Sequence, residues 1–234
     1  MKLEGTVALV TGTNRGLGRM LVEELLARGV RRVYAASRGD GAHADPRVVA
    51  LRLDITNPEQ VRAAAAAATD VELLINNAGT ATAYSVLQSD PEHLRRDVEV
   101  NVHGTLAVTR AFVPVLAAAT QAAIVNILSI TSMANLPVIG GYSATKAAQW
   151  SLTQALRAEL RGRGIRVHGA FPAAMDTDMT RGFEMPKADP AVVARAILDG
   201  VAADQDNIAT DPMSAGVIDT FVRDPRELER RFTS

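Results

Sequence analysis

Six short runs rich in Val, Ile, Leu and Ala, apolar throughout rather than at every second position, alternate with longer stretches of helical periodicity. A strand that is apolar on both faces has to be covered on both. A parallel sheet between two layers of helices meets that demand. The runs at residues 6–10, 32–37, 48–53, 71–76, 122–128 and 165–171 are the expected strands, with helices over 16–28, from Pro58 onwards, over 91–119 and over 141–161. Asn57 before Pro58 marks a helix start, because Asn caps free backbone N–H groups and Pro supplies a pre-set φ at the first helical position. Pro114 should kink the helix over 91–119, and Gly162 and Gly164 should close the one over 141–161. The alternation predicts an α/β fold with a doubly wound, mostly parallel sheet and helices on both faces, its crossovers right-handed. The C-terminal 45 residues read as helices around a weak strand at 207–210. No repeat or Gly/Ser/Pro-rich linker interrupts the chain, so residues 1–234 are expected to form one domain, with a short substrate-side segment at about 173–190.

With 25 Lys and Arg against 26 Asp and Glu, the chain carries a net charge of −1 and no bias toward nucleic acid or an anionic membrane. It has no cysteine, which excludes a disulfide scaffold, a thiolate metal site and a cysteine nucleophile. His43, His93, His103 and His168 are scattered without metal-ligand spacing, so no metal is expected. The apolar stretch at 106–128 is broken by Arg110, Pro114 and Gln121, which argues against a membrane span. The first residues lack a signal-peptide pattern, and a cytoplasmic location is the expectation.

In an open parallel sheet, ligands bind at the carboxyl ends of the strands where the strand order reverses. A motif directly after a strand therefore carries weight. Thr11-Gly12-Thr13-Asn14-Arg15-Gly16-Leu17-Gly18 follows the first run and opens a helix. Glycines there permit a sharp turn and let a pyrophosphate approach the helix N-terminus, whose N–H groups and dipole favour an anion. Alone, the same residues also describe a tight strand-to-helix turn. Asn76-Asn77-Ala78-Gly79 follows the fourth run and alone reads equally well as a turn. Ser129 ends the fifth, where a hydroxyl can point at a bound carbonyl or satisfy its own turn. Tyr142 and Lys146, four apart, share one helical face. A free phenol titrates near ~10. An ammonium beside it favours the phenolate and makes tyrosine a usable general acid or base. In isolation the two would be an ordinary surface pair.

Together and in order, Thr11-Gly12…Gly16-x-Gly18, Asp54, Asn76-Asn77-Ala78-Gly79, Asn101, Ser129, Tyr142…Lys146 and Pro172…Thr177 resemble the short-chain dehydrogenase/reductase family over roughly residues 4–180. The resemblance implies a Rossmann-type fold and an oxidoreductase that interconverts a carbonyl and an alcohol. It implies that Tyr142 exchanges the proton, that Lys146 lowers the Tyr142 pKa and holds the nicotinamide ribose, and that Ser129 stabilises charge on the carbonyl oxygen. Asn101, within a helix, would hold a water linking Lys146 to solvent. The loop residues Gly12, Asn14, Arg15, Gly16, Leu17 and Gly18 would cradle the dinucleotide. Asp54 and Ile55 would flank the adenine, Asn76, Ala78 and Gly79 would close the cleft, and Pro172 and Thr177 would hold the carboxamide end. The chain departs from the family pattern at Ala173, where a glycine is usual, at Leu128, where a second serine is common, and in lacking a glycine-rich C-terminal ending. A competing possibility is a catalytically inactive dinucleotide-binding regulatory protein; the presence of Asn101, Ser129, Tyr142 and Lys146 weighs against it.

Ser37 occupies the strand end where an acidic residue would bind the ribose 2′-hydroxyl of NAD, and Arg38 follows it. With Arg15, two guanidiniums suit a 2′-phosphate, so NADP(H) is expected in preference to NAD(H). The segments after Ser129 and Pro172 offer Met133, Leu136, Val138, Ile139, Met175, Met179, Phe183 and Met185, with Asp176, Asp178, Arg181 and Glu184 as the charges. They predict an adaptable apolar pocket for hydrophobic, uncharged carbonyl substrates. Ala147, Ala148, Ala155 and Ala158 permit close helix approach, or else face the sheet. A homodimer is expected, with a tetramer disfavoured by the missing ending.

Overall fold

A computed structural model describes residues 1–39, 43–82, 86–181 and 184–233. Strands β1 (Val7–Thr11), β2 (Arg32–Ser37), β3 (Val48–Arg52), β4 (Leu73–Asn76), β5 (Ala122–Ile127), β6 (Ile165–Ala170) and β7 (Asn207–Ile208) form one sheet in the order β3-β2-β1-β4-β5-β6-β7. Every pairing is parallel. The order reverses between β1 and β4, which places the expected ligand crevice at the ends of those two strands.

Alternate side chains of each strand feed two cores. On one face, Ala8, Val10, Leu73 and Ile75 pack with Leu21 and Leu25 of α1 (Gly16–Ala27) and Ile197 and Leu198 of α6 (Pro190–Ala202). On the other, Val7, Leu9 and Leu74 pack with Val61 of α2 (Pro58–Ala67) and with Val108, Phe112 and Leu116 of α4 (Thr105–Ala117). The apolar runs are continuous because both faces are filled. β3 is the exception. It is an edge strand, and Val49 is 38% exposed although its sequence looks like the rest.

Asn57 caps α2 through Oδ1, which accepts from the N–H groups of Glu59 and Gln60. The helix expected over 91–119 is α3 (Pro91–Val98), a π-helical turn (Glu99–Gly104) and α4, not one regular helix. The 27 residues Pro91–Ala117 are long and apolar enough to cross a membrane by length and composition. Val108, Phe112 and Leu116 are instead fully buried against the sheet. Helix α5 (Gly140–Leu160) is followed by a 3-10 turn, and Gly164 at φ 71° turns the chain into β6, a conformation an L-residue resists. The C-terminal helices α7 (Pro212–Arg223) and α8 (Pro225–Thr233) bury Val217 and Leu228 against Ile130 and Ala134, just beyond Ser129.

Candidate active site

The loop after β1 is folded by its glycines and by β2. Gly12, at φ 75°, and Thr13 donate their N–H groups to the Ala36 carbonyl. A Cβ on Gly18 would lie 2.1 Å from the Gly12 carbonyl oxygen, so only a hydrogen allows α1 to begin this close to the loop. Gly16 faces Thr177: a Cβ there would be 3.3 Å from the Thr177 methyl carbon. Arg15 at the N-cap of α1 makes no side-chain cap bond, leaving the first helical N–H groups without a side-chain acceptor. A bare helix N-terminus and a cradle that any Cβ would fill fit a dinucleotide pyrophosphate. Leu17 can contribute only its backbone, because its side chain is in the core.

The residues beside β2 and β3 surround this loop. Ser37 Oγ donates to the Gly39 carbonyl at 2.8 Å and shapes that turn, while Asn14 and Arg38 are exposed next to it. Asp54 Oδ1 accepts from the Thr56 N–H and hydroxyl; the backbone bond first, with help from the hydroxyl and the Arg38 charge, holds the carboxyl below its usual range. The Ile55 side chain packs into the core against Gly104, so it too offers the cleft only backbone. Arg15 NH1 pairs with Asp178 at 2.6 Å, and Asp178 also holds Arg181. These pairs are exposed and contribute little to stability.

The Asn-Asn pair divides its labour in a way the sequence did not reveal. Asn76 was expected at the cleft. Its side chain instead points into the interior, where Nδ2 donates to Asn126 Oδ1 at 2.9 Å and to Thr109 Oγ1 at 3.0 Å. The next residue takes the cleft side. Asn77 Nδ2 donates to the Thr11 and Gly12 carbonyls, and Thr11 Oγ1 accepts from the N–H groups of Asn77 and Ala78. These bonds fasten the two strand-end loops across the reversal point. At Gly79 a Cβ would be 3.1 Å from Asn101 Oδ1 and 3.9 Å from Lys146 Nζ, so this glycine lets the loop lie against both.

Asn101 sits in the π turn, fully buried. Its Nδ2 donates to the Thr80 carbonyl and to Thr145 Oγ1, and its Oδ1 accepts from the Thr80 N–H. Both amide hydrogens are therefore used, and the side chain clamps the segment after Gly79 onto α5. Ser129 extends β5, and its Oγ accepts from the Thr131 N–H at 3.1 Å and the Thr131 hydroxyl at 3.0 Å. Lys146 is 5% exposed, donates to the Ile127 carbonyl at 2.7 Å and lies 5.6 Å from the centre of the Tyr142 ring. Pro172 accepts from the Ile130 N–H, tying the end of β6 to the Ser129 turn.

Burial sets the electrostatics of this centre. It pushes the Lys146 ammonium down to about 7 and the Tyr142 hydroxyl up to about 12, with a hydrogen bond from Ser129 pulling Tyr142 the other way. Desolvation disfavours the charged form of each, which acts against the lowering of Tyr142 expected from Lys146. Asp97, one turn before Asn101 and fully buried, adds a charge that further opposes the phenolate. Its Oδ1 accepts from Thr82 Oγ1 at 3.4 Å, and its Oδ2 has no hydrogen-bond partner among the described residues. Asp97 and Thr131 were not singled out by sequence, and Asn77 was named only within its motif, without a role of its own; the i, i+4 spacing of Asp97 and Asn101 was the one available sign for the first.

Much of the expected apolar pocket is structural. Met175 packs against the core under β1, and Met133 packs with Phe221 and Phe232. Val138 and Met185 are exposed. Phe183 lies outside the described residues, as does the Met179 side chain.

Residues 6–187 match the family model described as short chain dehydrogenase. A solved short chain dehydrogenase from Burkholderia cenocepacia J2315, in complex with NADP, is 40% identical, covers 100% of both chains and superposes with a TM-score of 0.96. A short chain dehydrogenase/reductase from Burkholderia phymatum, in complex with NAD, is 26% identical over 99% of this chain and 96% of that one, with a TM-score of 0.86. Among curated proteins, galactitol 2-dehydrogenase (L-tagatose-forming) from Cereibacter sphaeroides is 35% identical over 193 residues, 76% of this chain and 75% of the relative. The matched span contains the glycine loop, Asn77, Asn101, Ser129, Tyr142 and Lys146, and the chain belongs to the short-chain dehydrogenase/reductase family of oxidoreductases that use a nicotinamide dinucleotide.

Proposed function

We propose that the chain is a single-domain NADP(H)-dependent reductase of uncharged, hydrophobic aldehydes and ketones, running the reverse oxidation on the corresponding alcohols. The observation that carries this is the convergence of Ser129, Tyr142 and Lys146 at the ends of β5 and α5, facing the loop that Gly12, Gly16 and Gly18 fold. A bound nicotinamide supplies the hydride in reduction and accepts it in oxidation. Ser129 holds the carbonyl oxygen with its hydroxyl. Tyr142 gives that oxygen its proton. Lys146, fixed by the Ile127 carbonyl, holds ribose hydroxyls beside the phenol. The backbone N–H groups at the start of α1 hold the pyrophosphate.

Support for NADP(H) comes from Ser37, Arg38 and Arg15 around the loop and from the NADP complex of the 40%-identical relative. Arg38 stands beside the turn that Ser37 shapes, and the last residue of β2 is Ser37 rather than a carboxylate. A homodimer through α4 and α5 is supported by Ala147, Ala148, Ala155 and Ala158, all four exposed rather than facing the sheet. The test is a thermal-shift titration with NADPH and NADH, followed by NADPH absorbance over a panel of ketones, aldehydes, quinones and charged carbonyl compounds. Tighter NADPH binding, its loss to NADH in Arg38→Asp, and turnover that rises with apolar size support the proposal. Equal binding of NADH, or preference for phosphorylated or carboxylated compounds, overturns the cofactor or substrate assignment respectively.

A further inference from the structure

Ser129 does not stand alone in its turn. The chain makes a single 3-10 turn at Ile130–Ser132 directly after it, and both hydrogen-bonding donors of Thr131 converge on one atom. The Thr131 N–H is 3.1 Å and the Thr131 hydroxyl 3.0 Å from Ser129 Oγ. Both residues are more than nine-tenths buried, so water does not compete freely for these bonds. A serine hydroxyl has two acceptor sites and one proton. The N–H can only donate. When the Thr131 hydroxyl donates as well, Ser129 Oγ only accepts within this turn, and its own proton is left free to point away from Thr131.

We propose that Thr131 is a positioning residue for the reduction, fixing Ser129 as a donor toward the substrate carbonyl oxygen. The proposal rests on the reductase assignment made above. A serine free to rotate spends part of its time pointing its proton elsewhere. One whose acceptor sites are both filled is oriented before the substrate arrives, which is the condition for strong stabilisation of a developing oxyanion. Hydrogen bonds in series also polarise one another, so charge forming on the substrate oxygen is shared along Ser129 to Thr131. The opposite arrangement, with Ser129 donating to Thr131, predicts that removing the Thr131 hydroxyl frees the serine proton and leaves turnover equal or faster. The two arrangements are therefore separable.

The experiment compares wild type with Thr131→Val, Thr131→Ser, Ser129→Ala and the Ser129→Ala/Thr131→Val double variant, using NADPH and phenanthrenequinone, an uncharged aromatic dicarbonyl, alongside the carbonyl panel. Thr131→Val keeps shape and burial but lacks the hydroxyl. It is expected to lower kcat by on the order of tenfold, equivalent to about 1.4 kcal/mol, with KM for NADPH within twofold of wild type. The pH limb that Tyr142 sets should move upward, because the bond opposing its burial is weakened. Thr131→Ser should restore kcat and the pH profile, which separates an effect of the hydroxyl from one of folding. In the Ser129→Ala background, Thr131→Val should have no further effect. Unchanged or faster turnover in Thr131→Val, failure of Thr131→Ser to rescue, or additive losses in the double variant overturns the role of Thr131. Wild type without carbonyl turnover on the whole panel, or Ser129→Ala with full activity, sinks the reductase assignment instead.

Discussion

Gly18 and Gly12 meet so closely that a single methyl group on Gly18 would sit 2.1 Å from the Gly12 carbonyl oxygen. The contact fixes where α1 starts relative to the loop, and so where its free N–H groups point. Gly18→Ala should force the loop and helix apart, costing about 1–3 kcal/mol or more, as overpacking does. Urea denaturation should register that loss. The same variant should lose the stabilisation by NADPH, and a variant with wild-type stability and wild-type NADPH binding contradicts the cradle.

Asn77 holds the Thr11 and Gly12 carbonyls from across the strand reversal. Asn77→Ala leaves both acceptors without this donor, at a cost of about 1–3 kcal/mol. Because Gly12 is part of the cradle, dinucleotide affinity should fall with stability. Asn77→Asp tests the direction of the bonds: a carboxylate facing two carbonyl oxygens should be at least as damaging. Calorimetric titration with NADPH on both variants decides this, and retained affinity in Asn77→Asp would count against it.

Lys146 gives a pH dependence with a definite sign. In the folded chain its pKa is about 7, against an ordinary 10.5. Below pH 7 both folded and unfolded chains carry the proton. Between about 7 and 10.5 the unfolded chain binds a proton that the folded one does not, so unfolding free energy rises with pH across that window. Each pH unit crossed there adds at most about 1.4 kcal/mol. The stability of wild type relative to Lys146→Met should therefore climb from pH 7 toward pH 10 and flatten beyond. Tyr142 works in the opposite sense only above its ordinary value of 10.0, where folding protects its proton. Parallel pH profiles for the two proteins would show that the buried amine is not the cause.

Asp97 is expected to cost the fold more than it returns. It is wholly buried, one carboxylate oxygen has no hydrogen-bond partner among the described residues, the other has a long bond to Thr82, and burial pushes its pKa up. A partly satisfied buried carboxylate can be replaced by an apolar side chain of similar size at no loss or with a gain. Asp97→Leu is expected to stabilise by about 1 kcal/mol, or roughly 2–4 °C in a chain of this size. Differential scanning calorimetry that shows a lowered Tm instead identifies Asp97 as a structural acceptor.

The layered sheet was legible because each buried parallel strand must be apolar on both faces, and few other arrangements use such runs. The edge position of β3 was not. Val48, Val49, Ala50 and Leu51 have the composition of an inner strand, and only the absence of a further strand beside them among the described residues leaves Val49 exposed. The site's membership was legible from the order of its motifs, but side-chain direction was not. Asn76 and Asn77 are adjacent and identical, and the strand alternation that sends one inward and the other across to Thr11 turns on a single residue of register. The π turn escaped notice because Glu99–Gly104 is compatible with an ordinary helix. The balance of burial against charge at Tyr142 and Lys146 depends on what covers them, which spacing along one helix does not contain. Met133 and Met175 looked like pocket residues because core and pocket draw on the same apolar side chains.

The central position of β1 has a consequence for the newborn chain. β1 leaves the ribosome before any other strand of the sheet, yet its second neighbour, β4, arrives some 65 residues later, as Ala8 pairs with Leu73. Thr177, which faces Gly16, follows about a hundred residues after that. At synthesis rates of roughly 5–20 residues per second, the glycine loop waits on the order of ten to thirty seconds for its opposite wall. Until β5 is made, β4 presents an unpaired edge, which is the kind of surface that chaperones guard. A nascent chain that stops short of Thr177 lacks the wall facing Gly16, so cofactor capture reports that synthesis has passed this point as well as that the sheet has closed.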